Sequence, residues 1–282
     1  MVVRFPAYRE FEASRIATND AAMALLVSTR LAVRAIEDAS PEHASSHLPD
    51  VFPSLEHARR LNRTLSDAAQ VILDAERQLT YMAIPFSLTV YEAFAKDAIR
   101  LMRDARVDTQ TSDVTRIKLG ALHDYLGDIG IALPRPEVEL FDFIRQLRNR
   151  IVHHAGIEGS TLEGAFAAMG EAAKGLWRFM AGDDPPLRRP KEPLQLEAKH
   201  LIPSLAVTKH LGEAINDGLV RAIPSSAWAG WVTEDFLSKS VPASFDQRLR
   251  KLKGFARHRY GDLALDEAVL RRTLTDALVG GG

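Results

Sequence analysis

The chain has 282 residues, of which 46% are hydrophobic and 26% charged, with a formal net charge of −1 and no cysteine. That composition suits a buried core under a solvated surface. The missing cysteines exclude disulfides, thiolate metal ligands and a cysteine nucleophile together. No stretch approaches the roughly 20 apolar residues that cross a bilayer. Arg9, Glu10 and Glu12 follow the start too closely for a secretory signal, so a cytoplasmic protein with no membrane contact is expected. A balanced charge gives no general attraction to polyanions. Any such ligand must meet a local patch, either Arg145/Arg148/Arg150 or the acid-free run from Arg248 to Arg259.

Helical periodicity dominates from the start. Thr18-Asn19-Asp20 reads as a cap, followed by Met23, Leu26, Val27, Leu31 and Val33 at helical spacing up to Pro41. Three prolines with Ser and His make 40–53 a loop, and a long helix is expected from Ser54 through Leu79. Pro85 should kink or break it, because proline lacks the backbone donor and crowds the preceding turn. Phe86, Val90, Phe94, Ile99 and Met102 continue as a mostly buried helix. A shorter one spans Asp113 to Leu126 and stops at Gly127 and Gly130. Pro136 opens a helix running to about Ala155, with Gly156 as its stop. Ser160-x-x-Glu163 is a capping box for a helix ending near Met180. The four prolines and basic cluster of 182–193 read as an exposed linker or insertion. Leu194 to Ala198 alternates like a short extended segment, and helices follow over about 203–222, 226–239, 244–259 and 265–278. The expected fold is all-α, a helical bundle over 1–224 with a small C-terminal helical extension over 225–282.

Chemistry concentrates on the helix from Glu137. At 100° per residue, Leu140, Ile144, Leu147 and Ile151 fall within about 60° of one another and form a core stripe. Arg145, Arg148, Asn149 and His153 lie off it, with Asn149 and His153 neighbours at four residues' spacing. His154 turns back toward the stripe. These residue types suit RNA cleavage without a metal. An imidazole moves protons to and from the 2′-hydroxyl and the leaving 5′-oxygen. An arginine fork holds the phosphate and stabilises its developing charge, and the asparagine orients either partner. An Arg-x4-His spacing alone arises about once by chance in a chain of this composition; Arg116 with the more loosely spaced His123 is such an accident. The following Asn and the amphipathic helix distinguish Arg148 and His153. The competing reading is a solvated face, with positive charge favoured at a helix C-terminus.

Leu147-Arg148-Asn149-Arg150-Ile151-Val152-His153 resembles the motif of the HEPN superfamily: Arg, a polar residue often Asn, three variable positions and His. Phe86 to Asp97 is similar to that family's earlier buried helix with its Glu-x-x-x-Lys pattern, here Glu92 and Lys96, which are also spaced for an ordinary salt bridge. Leu194 to Ile223 resembles the extended segment and closing helix of some members. The likeness covers about 20–223. It implies a homodimer whose two motif helices line one cleft, metal-independent cleavage of an RNA substrate to a 2′,3′-cyclic phosphate with no cofactor, and a role as a toxin or antiviral defence effector, with an antitoxin or defence-complex partner. On the motif, Arg148, Asn149 and His153 take the catalytic positions, and Arg145 and Arg150 can add phosphate contacts. Some members carry a modifiable Tyr two residues after the His; Ala155 stands there. Noncatalytic members usually lack the Arg or His that this chain keeps.

The run Arg248-Leu249-Arg250-Lys251-Leu252-Lys253-Gly254-Phe255-Ala256-Arg257-His258-Arg259-Tyr260 interleaves bases with aromatics. Arg248, Arg250, Lys251, Lys253, Arg257 and Arg259 are candidate RNA contacts, with Phe255 or Tyr260 stacking a base. Leu249, Leu252 and Phe255 or Ala256 equally make a core stripe with solvated charges outside. Trp228 and Trp231 read as core. His43, His47 and His57 lack fixed geometry, so no metal site is assigned. Two further readings stay open: a noncatalytic helical interaction module, and an RNA-binding protein that uses the 248–259 face.

Overall fold

A computed structural model describes residues 2–43, 45–110, 113–154, 160–185, 187, 194–239 and 243–279. Among them the chain is all-α. Its helices are α1 (Pro6–His43), α2 (Leu48–Val51), α3 (Ala58–Leu61), α4 (Leu65–Asp104), α5 (Leu122–Asp128), α6 (Arg135–His154), α7 (Ser160–Ala168), α8 (Glu171–Ala181), α9 (Ile202–Ala222), α10 (Ser225–Leu237), α11 (Phe245–Tyr260) and α12 (Glu267–Val279). One isolated antiparallel bridge joins His47 to Thr64. No helix among the described residues is long and apolar enough to cross a membrane.

Several boundaries differ from expectation. Thr18-Asn19-Asp20 lies inside α1, which also carries on through Pro41 to His43; buried Ala22, Val33 and Ile36 supply a continuous packing face that outweighs local cap preference. Short α2 sits within the expected loop. From Ser54 the chain stays largely irregular until Leu65, with His57 and Asn62 at positive φ. α4 then runs unbroken through Pro85. The buried neighbours Ile84, Leu88 and Tyr91 hold the turn around it, where tertiary packing offsets the lost donor. Residues 114–121 form two 3₁₀ turns ahead of α5, and Gly130 takes a φ of +92° beyond its end. The helix expected over 160–180 divides at Gly170. The cap role of Ser160, the packing of His154, and Ala155, Gly156 and most of 182–193 lie outside the described side chains or residues.

The chain forms two compact units. The first comprises 1–15, 89–138 and 207–282. Its core is aromatic: Phe11 stacks on Phe94 at 4.6 Å, and Phe5 meets Trp228 at 5.5 Å. A side chain at Gly212 would reach 2.4 Å from the Phe11 ring, so only glycine lets α9 approach it. Buried Asn216 accepts from the Val3 amide at 3.0 Å and donates to its carbonyl at 2.8 Å. The Arg9 guanidinium grips Asp235 with two bonds of 2.8 and 2.9 Å, and the same carboxylate accepts from Tyr260 and Lys239.

The second unit comprises 16–88 and 139–206. Ile36, Leu48, Ala58, Leu65 and Ala68 form one of its apolar clusters. Phe143 of α6 meets Trp177 of α8 edge-on at 5.4 Å and Phe166 of α7 at 5.6 Å. Leu194 and Leu196 are buried, matching the expected alternation, and the Tyr81 hydroxyl donates to the Leu194 carbonyl at 2.5 Å.

Candidate functional site

α6 is held by its apolar side. Leu140, Phe141, Phe143, Ile144 and Leu147 are buried, a stripe widened by two phenylalanines, while Ile151 is half-buried. Near its start, Glu139 accepts a 2.8 Å bond from the amide of Gly170, the N-cap of α8. That contact fills the space a Gly170 side chain would need, because a Cβ there would lie 2.9 Å from the Glu139 carboxylate.

Arg148 and Arg150 flank the two edges of that stripe and Arg145 and Asn149 lie away from it, all half-buried, and the helix ends in exposed Val152 and His153. Arg148 Nη1 donates to Asn149 Oδ1 at 3.1 Å. A guanidinium has no acceptor, so this bond fixes the amide with its oxygen toward Arg148 and leaves its NH2 as a donor. His153 stands one turn beyond Asn149 on the same face, in the last turn of the helix. The structure thus pairs Arg148 with Asn149 and leaves the imidazole open to solvent. Arg145 is engaged by Asp142 of its own helix at 3.1 Å.

Unit 2 contains a second histidine that the sequence pattern did not single out. His200 is buried and stacks on Trp177 at 6.0 Å. Its Nδ1 accepts from the Glu197 amide at 2.9 Å, which places the proton of the neutral ring on Nε2, 3.5 Å from Asp183. Burial pushes this imidazole below its ordinary pKa, against the opposing pull of Asp183. It is a packed core residue. Lys96 reaches Glu92 at 2.7 Å and the Thr115 carbonyl at 3.3 Å, so that pair is a helix salt bridge that also ties down a loop.

The basic run forms α11, in unit 1. Leu249, Leu252, Ala256 and Tyr260 are buried, so the core stripe is real. Aromatic stacking on a base is corrected: the Tyr260 hydroxyl is committed to Asp235 at 2.7 Å, and half-buried Phe255 packs on Phe236 at 5.8 Å. The six candidate cations separate by environment. Arg248 donates to the Ala243 carbonyl at 3.0 Å, Lys253 pairs with Glu267 at 2.5 Å, and Arg259 lies over the Phe255 ring at 5.9 Å. Arg250, Lys251 and Arg257 are exposed, and so is His258, which composition alone did not distinguish. Trp228 is buried and Trp231 half-buried beside it.

No family model matches the chain, and comparison with curated proteins and with solved structures gave no match.

Proposed function

We propose that the protein is a metal-independent endoribonuclease of HEPN type that works as a homodimer, in the cytoplasm, as a toxin or antiviral effector. The observation that carries this reading is the Arg148–Asn149 pair on the half-buried face of α6, with exposed His153 one turn further on. In the proposed step the His153 imidazole accepts the 2′-hydroxyl proton as that oxygen attacks phosphorus. The bond from phosphorus to the 5′-oxygen breaks, and the equivalent imidazole of a second copy returns a proton to the leaving oxygen. Arg148 stabilises the charge on the nonbridging oxygens, Asn149 donates its free NH2 to phosphate or ring, and Arg150 adds a phosphate contact. The products are a 2′,3′-cyclic phosphate and a free 5′-hydroxyl.

The homodimer draws support from exposed apolar surface. Among the described residues, the large exposed hydrophobics of unit 1 are Val107, Leu278 and Val279. Unit 2 exposes ten, including Leu31 (64%), Met82 (65%), Phe86 (55%) and Phe179 (88%), with Val152 (48%) directly beside His153. Such exposed apolar surface is available for a second copy to cover. It also favours the alternative of a noncatalytic interaction module, whose partner would cover the same residues.

Purified wild type, Arg148→Ala and His153→Ala, incubated with cellular RNA in EDTA, distinguish the two. The nuclease reading expects cyclic-phosphate ends from wild type alone, with helicity and oligomeric state equal in all three. Equal cleavage by a clean His153→Ala preparation rejects it.

A further inference from the structure

We propose that the solvent face of α11 binds the phosphate backbone of base-paired RNA, through Arg250, Lys251, Arg257 and His258 arranged around Gly254. On a helix these positions form one stripe, since 250, 251, 254, 257 and 258 recur at spacings of three and four. All five are exposed. Asp246 stands at the N-terminal end of the stripe, where a carboxylate complements the helix dipole. From Gln247 to Gly261 the exposed positions carry no acid. The carboxylate of Glu267 is already neutralised by Lys253. Arg250 to His258 spans about 12 Å of helix at 1.5 Å per residue, long enough to follow several phosphates. Gly254, at its centre, has open space where a side chain would begin, so a sugar-phosphate strand can approach the helix backbone closely between the flanking cations.

Two features choose the occupant. A basic amphipathic helix lies on an anionic membrane only if its apolar face is free to insert; here Leu249, Leu252, Ala256 and Tyr260 are buried in the protein. Single strands are held largely by bases stacked on aromatic rings, and this face presents none, since Tyr260 and Phe255 point into packing contacts. Phosphate contact alone remains. A duplex offers it at about one charge per 1.7 Å, twice the density of one strand, and such contact carries no sequence information. Duplex DNA shares this chemistry; the choice of RNA rests on the nuclease reading above.

The test is fluorescence anisotropy of a labelled RNA hairpin titrated with full-length His153→Ala protein over a range of NaCl concentrations. Single-stranded RNA and duplex DNA of equal length serve as further arms. Tight, sequence-independent hairpin binding is expected, with duplex DNA following the same salt dependence and single strands held more weakly. Arg250→Glu/Lys251→Glu/Arg257→Glu should lose at least about 30-fold in affinity and flatten the log–log salt slope by about three, close to one per lost phosphate contact. Gly254→Asp, whose side chain enters open space, should weaken binding several-fold without altering the circular dichroism spectrum. Unchanged affinity and slope in both variants overturn the proposal, as does single-stranded RNA binding as tightly as the hairpin. If wild type cleaves no RNA while the stripe still binds hairpins, the nuclease reading fails and this surface stands. Cleavage that proceeds with unchanged hairpin affinity in the triple variant leaves the nuclease standing and removes this surface.

Discussion

α6 and α11 carry similar residue types and use them in opposite ways. On α6, Arg145 and Arg148 are half-buried and each is held by a neighbour on the same helix, Asp142 and Asn149. On α11, Arg250, Lys251 and Arg257 stand in solvent, while Arg248, Lys253 and Arg259 are engaged locally. A guanidinium whose direction is fixed before the ligand arrives acts on one phosphate at one angle. Exposed cations on flexible stems act as a field, which attracts a backbone without choosing an atom. The difference lies in partner placement more than in charge, since both helices bury an apolar stripe and both are rich in arginine.

The largest expected effect breaks the α6 side. His153→Ala should lower the cleavage rate at least about 10²-fold, the usual scale of a lost general acid or base. Arg148→Lys should lose most of the activity too, because a lysine keeps the charge but not the fork that spans phosphate oxygens and fixes Asn149. A lysine variant as active as wild type would mean that α6 also works as a field, and the contrast with α11 would disappear.

The next effect concerns how α11 is held. Tyr260, in its last turn, donates to Asp235, which also binds Arg9 and Lys239. Burial alone would raise the Asp235 carboxyl, but the bonds from Arg9, Lys239 and Tyr260 outweigh it and hold the group well below the usual carboxylate range. A folded-state pKa below the unfolded value of about 3.9 stabilises the fold at neutral pH, and that contribution is lost as pH falls through 4 toward the folded value. Asp235→Ala should cost about 3–5 kcal/mol at pH 7, since it strands a half-buried arginine. Asp235→Asn should lower Tm at pH 7, and its gap from wild type should narrow between pH 5 and pH 3. A gap that stays constant over that range would show that the carboxylate's charge does not anchor α11.

The same comparison explains what the sequence made legible. Apolar spacing gave the helices of the last third within a few residues, because Leu249, Leu252 and Ala256, or Leu270 and Leu274, repeat at helical intervals and are buried. It also revealed the offset of Arg148, Asn149 and His153 from the stripe of α6. It failed where long-range packing overrode local signals: Pro85 inside α4, Thr18-Asn19-Asp20 inside α1, and Gly170 dividing α7 from α8. Side-chain partners were legible only when they lay on the same helix, as with Glu92 and Lys96. The Asp235 network joins residues 226 positions apart; helical spacing puts Tyr260 in line with Leu249, Leu252 and Ala256, but no local pattern could have named Asp235 as the acceptor of its hydroxyl. Gly254 and His258 became informative only once the exposed stripe of α11 was known.

The smallest predicted effect tests whether Arg145 belongs with the motif. Its bond to Asp142 is an i,i+3 pair with the carboxylate about half exposed (49%), a contact worth only about 0.3–0.5 kcal/mol. Asp142→Asn should therefore leave stability nearly unchanged while freeing the guanidinium and removing the negative charge beside Arg145 on α6. If Arg145 contacts substrate, KM should fall about twofold with kcat unaltered, because the gain applies equally to bound substrate and transition state. The double variant Asp142→Asn/Arg145→Gln should show no such gain. A KM that falls equally in single and double variants would assign the effect to the lost carboxylate charge. The preorganised set on α6 would then reduce to Arg148, Asn149, Arg150 and His153, with Arg145 serving the helix alone.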